Sequence, residues 1–254
     1  KNKTRFIVDV QDLWPEAFKM VVNIPVLSEI GFYPMKKRAE RVYSSADEIV
    51  SVSKTYTERV LSVNIKCKVG HSVFLGTDLE IFDENVKKNS FDKDGRNFVI
   101  GYCGTLGASY DITCVIDALS LLENHNYVFL VMGDGPRKEE FEVYAKNKNV
   151  NCEFTGRLSY PEMCGRLFTC DIVVNPITHG AAQSIINKHA DYAASGLPVI
   201  NTQECLEYRS LVEEYNMGFN CNNSDPEDMA KKIQLLMDDP GLRKKMGNNA
   251  RKCA

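Results

Sequence analysis

The sequence predicts an α/β protein built from two doubly wound, parallel-sheet domains, the first of them incomplete. Three observations carry that reading. In the second half, short β-branched or apolar runs alternate with stretches of helical period, the pattern of βαβ units on a parallel sheet. Helix-start signals stand where the alternation needs them: Ser159-Tyr160-Pro161-Glu162 has the form of a capping box, and Asp225-Pro226 sets an N-cap before a proline. The length of 254 residues fits one large domain or two modest ones.

In the second half the expected strands cover 99–103, 127–132, 150–154, 171–175, 197–201 and 217–220. Helices are expected over 111–123, 137–147, 160–169, 184–195, 206–215 and 226–237, and six strands with helices between them complete a doubly wound domain. The first half supplies less: strands at 6–10 and 47–52, helices at 33–44 and 54–62, and a short strand near 72–75. The segment 87–97 is rich in Lys, Asp and Asn and reads as a solvated loop or hinge. It places the domain division near 96, giving domains 1–96 and 97–254. The chain opens on Lys1 with a strand almost at once and ends in a helical pattern at Arg251-Lys252-Cys253-Ala254, so a piece of a longer protein is expected.

Composition narrows the function classes. Apolar residues make up 44% and charged residues 26%, enough for an ordinary core and too ordered a mixture for a disordered chain. Lys and Arg number 31 against 34 Asp and Glu, a balance of −3 that argues against a nucleic-acid partner. No apolar run reaches the ~18 residues of a membrane span. The nine cysteines form no Cys-x-x-Cys pair and sit mostly in apolar runs, as reduced core residues of a cytoplasmic protein would. His71, His125, His179 and His189 lack ligand-like spacing, and no metal is expected.

Two glycine loops follow predicted strands. Gly101-Tyr102-Cys103-Gly104-Thr105-Leu106-Gly107 is spaced Gly-x-x-Gly-x-x-Gly rather than as the dinucleotide fingerprint, and Gly133-Asp134-Gly135-Pro136 also lacks the rest of it. A nicotinamide-dependent dehydrogenase therefore ranks last among the readings. Together with Phe154-Thr155-Gly156-Arg157-Leu158-Ser159, Cys170-Asp171-Ile172-Val173-Val174-Asn175-Pro176 and Asp191-Tyr192-Ala193-Ala194-Ser195-Gly196-Leu197-Pro198-Val199-Ile200, these loops resemble, in order and spacing, the nucleotide-sugar domain of family 4 glycosyltransferases. Those are retaining enzymes with two Rossmann-like domains, the GT-B architecture. Upstream, 46–53 and 74–82 are similar to the family's segments just before the second domain, so the resemblance covers nearly the whole chain. Asp12-Leu13-Trp14-Pro15-Glu16 further resembles a subgroup that builds bacterial surface and capsular polysaccharides.

The resemblance implies transfer of a sugar from a nucleotide diphosphate sugar to a saccharide acceptor, with retention, no cofactor, and the donor held between the domains at the carboxyl ends of the second domain's strands. It implies an acceptor-side Gly-rich loop upstream of Lys1. Small residues at His179-Gly180-Ala181-Ala182 let a phosphate approach the backbone. A helix start at 184–187, with Ser184 as cap and Ile185 beside it, and Lys188 one turn in, would face the diphosphate. Gly104, Thr105 and Gly107 would add backbone N–H groups, because the Arg and Lys that many members carry in this loop are absent. At the family's two Glu positions stand Gln183, touching the donor sugar, and Asp191, holding the ribose. Arg157 and Leu158 lie in the loop that meets the base. Where many relatives carry His-Asp near the reacting sugar this chain has Gln11-Asp12, and Asp12 either orients a hydroxyl or caps the Trp14-Pro15 turn.

The basic stretch 35–41 is either a solvated helix face or a contact with anionic headgroups, since acceptors of such enzymes are often lipid-linked. Two rivals stay open. A sugar-nucleotide 2-epimerase of the same architecture would turn over donor without acceptor, and a non-catalytic nucleotide-sugar-binding module would bind without turnover.

Overall fold

The computed structural model describes residues 4–19, 27–91, 97–181 and 186–254. The chain divides into two compact units, Lys1–Leu75 and Gly76–Ala254.

In the first unit β1 (Ile7–Val10), α1 (Glu16–Lys19), α2 (Leu27–Ser45), β2 (Glu48–Ser51), α3 (Lys54–Leu61) and β3 (His71–Ser72) follow in order. The strands make a parallel sheet in the order β1-β2-β3, with Val8 opposite Ile49 and Val50 opposite His71. Val10, Tyr43, Ala46, Ile49, Tyr56 and Val60 close its core. Ser53 starts α3 by accepting the Tyr56 N–H at 3.2 Å, which satisfies one of the donors a helix start leaves free. Helix α2 begins six residues before the expected 33 and runs through Pro34.

The second unit carries β4 (Phe98–Cys103), β5 (Tyr127–Met132), β6 (Cys152–Gly156), β7 (Ile172–Asn175), β8 (Val199–Asn201) and β9 (Gly218–Asn220). All pair in parallel in the order β6-β5-β4-β7-β8-β9, the doubly wound arrangement, whose winding reverses between β4 and β7. Its helices are α4 (Leu79–Lys88), α5 (Ile112–Ser120), α6 (Lys138–Asn147), α7 (Tyr160–Phe168), α8 (Lys188–Ala194), α9 (Leu206–Glu214), α10 (Pro226–Asp238) and α11 (Pro240–Cys253). Successive strand residues point to opposite faces. Ile100, Phe129, Val131 and Val174 therefore pack with Ile116, Phe141 and Ile233 of α5, α6 and α10. Leu130, Met132, Val173 and Val199 pack the other way, against Phe82, Leu167, Tyr192 and Val212 of α4, α7, α8 and α9. The two-sided, doubly wound α/β expectation is met.

Several expectations differ in the second unit, among them the start of β8 at Val199 rather than 197. The segment from 87 is not a loop at its start, because α4 runs through Lys88. Asp78 caps α4 by accepting the Ile81 N–H at 3.0 Å, and the helix buries Phe82. Asn89 then lies so close to α7 that a Cβ on Gly165 would come within 1.9 Å of the Asn89 carbonyl oxygen. Packing thus joins 76–91 to the second unit, some twenty residues before the division expected near 96. Strand β6 begins at Cys152 rather than 150, and α8 begins at Lys188 rather than 184.

At the carboxyl ends of β7, β8 and β9 a ladder of amides crosses the sheet. Asn175, Asn201 and Asn220 are register partners. Asn175 donates to Asn201 Oδ1 at 2.8 Å, and Asn201 donates to Asn220 Oδ1 at 2.8 Å. Asn175 and Asn201 are fully buried, so a missing partner is not replaced by water. Asn201→Ala is expected to lower the unfolding free energy by about 2 kcal/mol, measured by urea denaturation, because it takes the acceptor from two buried donors at once, the Asn175 amide and the Gln203 N–H. A loss under ~0.5 kcal/mol would show the ladder to be dispensable.

Candidate functional site

The functional candidates gather at the carboxyl ends of the second sheet's central strands. A cleft of about 770 Å³ opens there, lined among others by Gly104, Thr105, Gly133, Asp134, Arg157 and Leu158. Its floor is backbone laid on backbone. Gly104 donates its N–H to Met132 O at 3.0 Å and Leu106 to Asp134 O at 2.9 Å, while the carbonyl of Leu106 accepts from Arg137 N at 3.0 Å. Glycine is required at such closeness, since a Cβ on Gly135 would stand 2.4 Å from the Leu106 carbonyl oxygen. This bonding narrows the expectation for the loop. Of its N–H groups, those of Gly104 and Leu106 are already taken up. Thr105 and Gly107 keep N–H groups without a partner among the described residues. Gly107 stands outside the residues that line the cleft.

Lys188 lies behind Gly104, at the point where the sheet's winding reverses. A Cβ added to Gly104 would stand 2.6 Å from Lys188 Nζ. The ammonium rests 4.4 Å from the Tyr102 ring centroid and 4.0 Å from that of Tyr110, two rings set edge to face 5.8 Å apart. It is buried, and among the described residues none of its three protons has a hydrogen-bond acceptor. Burial pushes its pKa down to about 8, against the weaker opposing pull of Cys103. At neutral pH the site therefore holds a desolvated cation that has no hydrogen-bonded anion among the described residues. Tyr102 is fixed in turn by donating its hydroxyl to Thr105 O at 2.8 Å.

Helix α8 is pinned from both sides. The Tyr192 hydroxyl accepts the Cys103 N–H at 2.9 Å and donates to Val174 O at 3.2 Å, which ties α8 to the ends of β4 and β7. On its other side His189 bonds through Nε2 to Gln203 Oε1 at 2.7 Å and stacks on Tyr208, the ring centroids 3.4 Å apart. Burial drives the His189 pKa down to about 3, so the ring is neutral and serves as packing.

Asp191, one helical turn beyond Lys188, receives the Tyr160 hydroxyl at 2.9 Å. It is near enough to Cys103 and Cys164 to add to the burial that holds both thiols protonated. Gln183, Ser184 and Ile185 lie outside the described residues. Helix α8 begins at Lys188 with Asn187 as the residue before it, and Asn187 makes no side-chain cap bond. Asp12 belongs to the first unit and is exposed just past β1, with no hydrogen bond of its side chain among the described residues. His179 bonds to Glu204 at 2.7 Å at the surface. The nine cysteines are free thiols, six of them buried. Lys36, Lys37, Arg38 and Arg41 of α2 are exposed. No helix among the described residues is long and apolar enough to cross a membrane.

The structure thus brings Gly104, Thr105, Arg157 and Leu158 to one cleft and sets Lys188 beside Gly104. Four tyrosines were not foreseen: 102, 110, 160 and 192. Only Tyr192 had a local signal, being four residues beyond Lys188 on the same helix face.

Comparison with known proteins bears on the family and the fold. Residues 83–253 match the family model described as "Glycosyl transferases group 1". The chain is 22% identical over 245 residues to "Probable glycosyltransferase WbjE" of Pseudomonas aeruginosa, covering 91% of this chain and 60% of that protein. It is 24% identical over 220 residues to "Capsular polysaccharide biosynthesis glycosyltransferase CapM" of Staphylococcus aureus, covering 82% of this chain and 56% of that one. A crystal structure of Anabaena Alr3699/HepE in complex with UDP superimposes with a TM-score of 0.77 at 16% identity, covering 98% of this chain and 67% of that chain. The chain therefore spans little more than half the length of these two relatives. With a GT-B-like fold throughout and the model match running across most of the second unit, the chain belongs to the group 1 glycosyltransferase family.

Proposed function

We propose that this chain is the donor-binding part, with a portion of the acceptor side, of a retaining family 4 glycosyltransferase. It would move a sugar from a nucleoside diphosphate sugar to a saccharide acceptor in bacterial surface polysaccharide synthesis. The observation that carries this reading is the buried ammonium of Lys188, which has no acceptor among the described residues, beside Gly104 at the reversal of the sheet. A cation so placed lacks only an anion, and a diphosphate supplies one.

In this reading Lys188 and the free N–H groups of Thr105 and Gly107 neutralise the diphosphate as it leaves. Asp191 accepts the ribose hydroxyls through the carboxylate lone pairs that Tyr160 leaves open, and the backbone at Arg157 and Leu158 borders the base. The bond from the sugar's anomeric carbon to the diphosphate oxygen breaks. A bond to the acceptor hydroxyl forms on the same face, and the hydroxyl proton passes to the departing phosphate. Gln183 as sugar contact, Ser184 and Ile185 as phosphate contacts, and Asp12 as orienting group are parts of this proposal taken from the resemblance. A lipid-linked acceptor, which would bring the basic face of α2 near headgroups, belongs to it as well.

Calorimetry of the chain against UDP, GDP, ADP and NAD tests the reading. One nucleoside diphosphate is expected to bind, and Asp191→Ala to weaken it about tenfold. Binding of NAD alone would overturn it.

A further inference from the structure

Tyr160 opens α7, between the cleft-lining residues Leu158 and Met163 in sequence, and its backbone is fixed. Glu162 accepts the Ser159 N–H at 3.0 Å and Ser159 Oγ stands at the Glu162 N–H, a reciprocal capping box on either side of it. Its hydroxyl has two oxygen partners, with the Cys164 thiol also beside it. The hydroxyl donates its only proton to Asp191 Oδ1 at 2.9 Å. Thr77 Oγ1 lies 2.9 Å from the same hydroxyl and must therefore be the donor in that pair. Burial and the Asp191 carboxylate both push the Tyr160 phenol up, so it remains protonated and a donor. The result is a directed chain, Thr77 O–H to Tyr160 O–H to the Asp191 carboxylate, in which each bond polarises the next. Thr77 stands two residues past Leu75, the last residue of the first unit.

From this we infer that Tyr160 is a positioning residue for the nucleotide's ribose. Its hydroxyl, aligned by Thr77, holds the Asp191 carboxylate in the orientation in which its remaining lone pairs accept the ribose hydroxyls. The inference rests on the ribose role proposed for Asp191. Asp191 lies on a seven-residue helix and its side chain has two rotatable bonds, so the helix alone does not set the carboxylate plane. The tyrosine removes that freedom before the ligand arrives, which is how a supporting hydrogen bond raises affinity without touching ligand.

The test compares UDP with 2′,3′-dideoxy-UDP, which lacks the hydroxyls in question, by calorimetry on the full chain. Tyr160→Phe keeps the ring and is expected to weaken UDP about five- to tenfold while leaving the dideoxy ligand within about twofold. Thr77→Val is expected to weaken UDP about two- to threefold. The double variant should be no weaker than Tyr160→Phe alone, because the two groups act as one chain. Equal losses for the two ligands would assign Tyr160 a purely structural role and overturn the inference, as would full additivity. Asp191→Ala separates the two levels. If it abolishes the preference for UDP over the dideoxy ligand while Tyr160→Phe does not diminish it, the relay fails and the ribose assignment stands. If the preference survives Asp191→Ala, the ribose assignment fails and takes the relay with it. Absence of heat with UDP, GDP and ADP alike would sink both.

Discussion

Replacing Lys188 by methionine is expected to weaken nucleoside diphosphate binding about a hundredfold and, at the same time, to stabilise the unliganded chain. The two effects share one cause. The ammonium is held between Tyr102 and Tyr110 without a hydrogen-bond acceptor among the described residues, and its pKa falls from 10.5 to about 8. A shift of that size corresponds to a folding penalty on the order of 3 kcal/mol at neutral pH. Methionine fills nearly the same volume, keeps contact with the two rings and carries no charge. The pH dependence gives a second readout. Because the folded-state pKa lies below the unfolded value, the penalty is complete below about pH 8 and is relieved as pH rises from 8 towards 10.5. Cysteines of the unfolded chain lose their protons in the same range while burial keeps the folded ones protonated, so the informative quantity is the difference between the two chains. The stability advantage of Lys188→Met should be largest at pH 7 and shrink towards pH 10.5. Thermal melts with and without UDP at pH 7, 8.5 and 10 measure all of this. A variant that binds UDP as well as the parent would remove Lys188 from the phosphate site. One that melts below the parent at pH 7 would mean that the tyrosine cage stabilises the cation more than desolvation opposes it.

The sheet was legible because burial on both faces leaves a plain mark: runs such as 127–132 and 172–174 are apolar, with turns where the chain must leave the sheet. What misled the reading was local chemistry that serves two purposes. Val150 looks like the first residue of a strand, yet Asn149 adopts φ 56° and the Val150 N–H turns back to Ala145 O at 3.0 Å, closing α6 before β6 begins. Helix α4 was masked by its own solubility. Apart from Phe82 its residues are mostly exposed or half-buried, and the lysines of its last turn resemble a loop, although Asp78 and those same lysines are ordinary end signals. The site divides in a similar way. Gly104, Lys188 and Asp191 sit in motifs with fixed spacing and could be named from the chain. Tyr102, Tyr110 and Tyr160 act on them from β4, from the loop before α5 and from the start of α7. Contacts between residues some thirty to ninety positions apart leave no period to read.

The glycines of the loops after β4 and β5 divide into those that must be glycine and those that need not be, and a pair of variants separates the two. Gly133→Ala is expected to lower stability by about 3–4 kcal/mol and to abolish nucleotide binding, whereas Gly107→Ala should change stability by no more than about 0.5 kcal/mol. A Cβ on Gly133 would stand 1.8 Å from the Gly104 carbonyl oxygen and 3.0 Å from its carbon. Backbone has no rotamer into which to retreat, so the loops after β4 and β5 must separate by more than an ångström. That movement breaks the bond from Gly104 N–H to Met132 O and draws Gly104 away from its place beside Lys188. At Gly107 the nearest atom to an added Cβ is a methyl of Thr105 at 3.8 Å, an ordinary contact. For a unit of this size each kcal/mol moves the melting temperature by roughly 2–4 °C, so the first variant should melt about 6–16 °C below the parent and the second within about 2 °C. The same difference reaches function through the floor. Lys188 can meet a phosphate only if Gly104 keeps its carbonyl against Gly133, so loss of binding must accompany loss of stability in Gly133→Ala. If Gly133→Ala melted with Gly107→Ala and still bound UDP, the two loops would be free to part, and the floor would not be what positions Gly104 for the ligand.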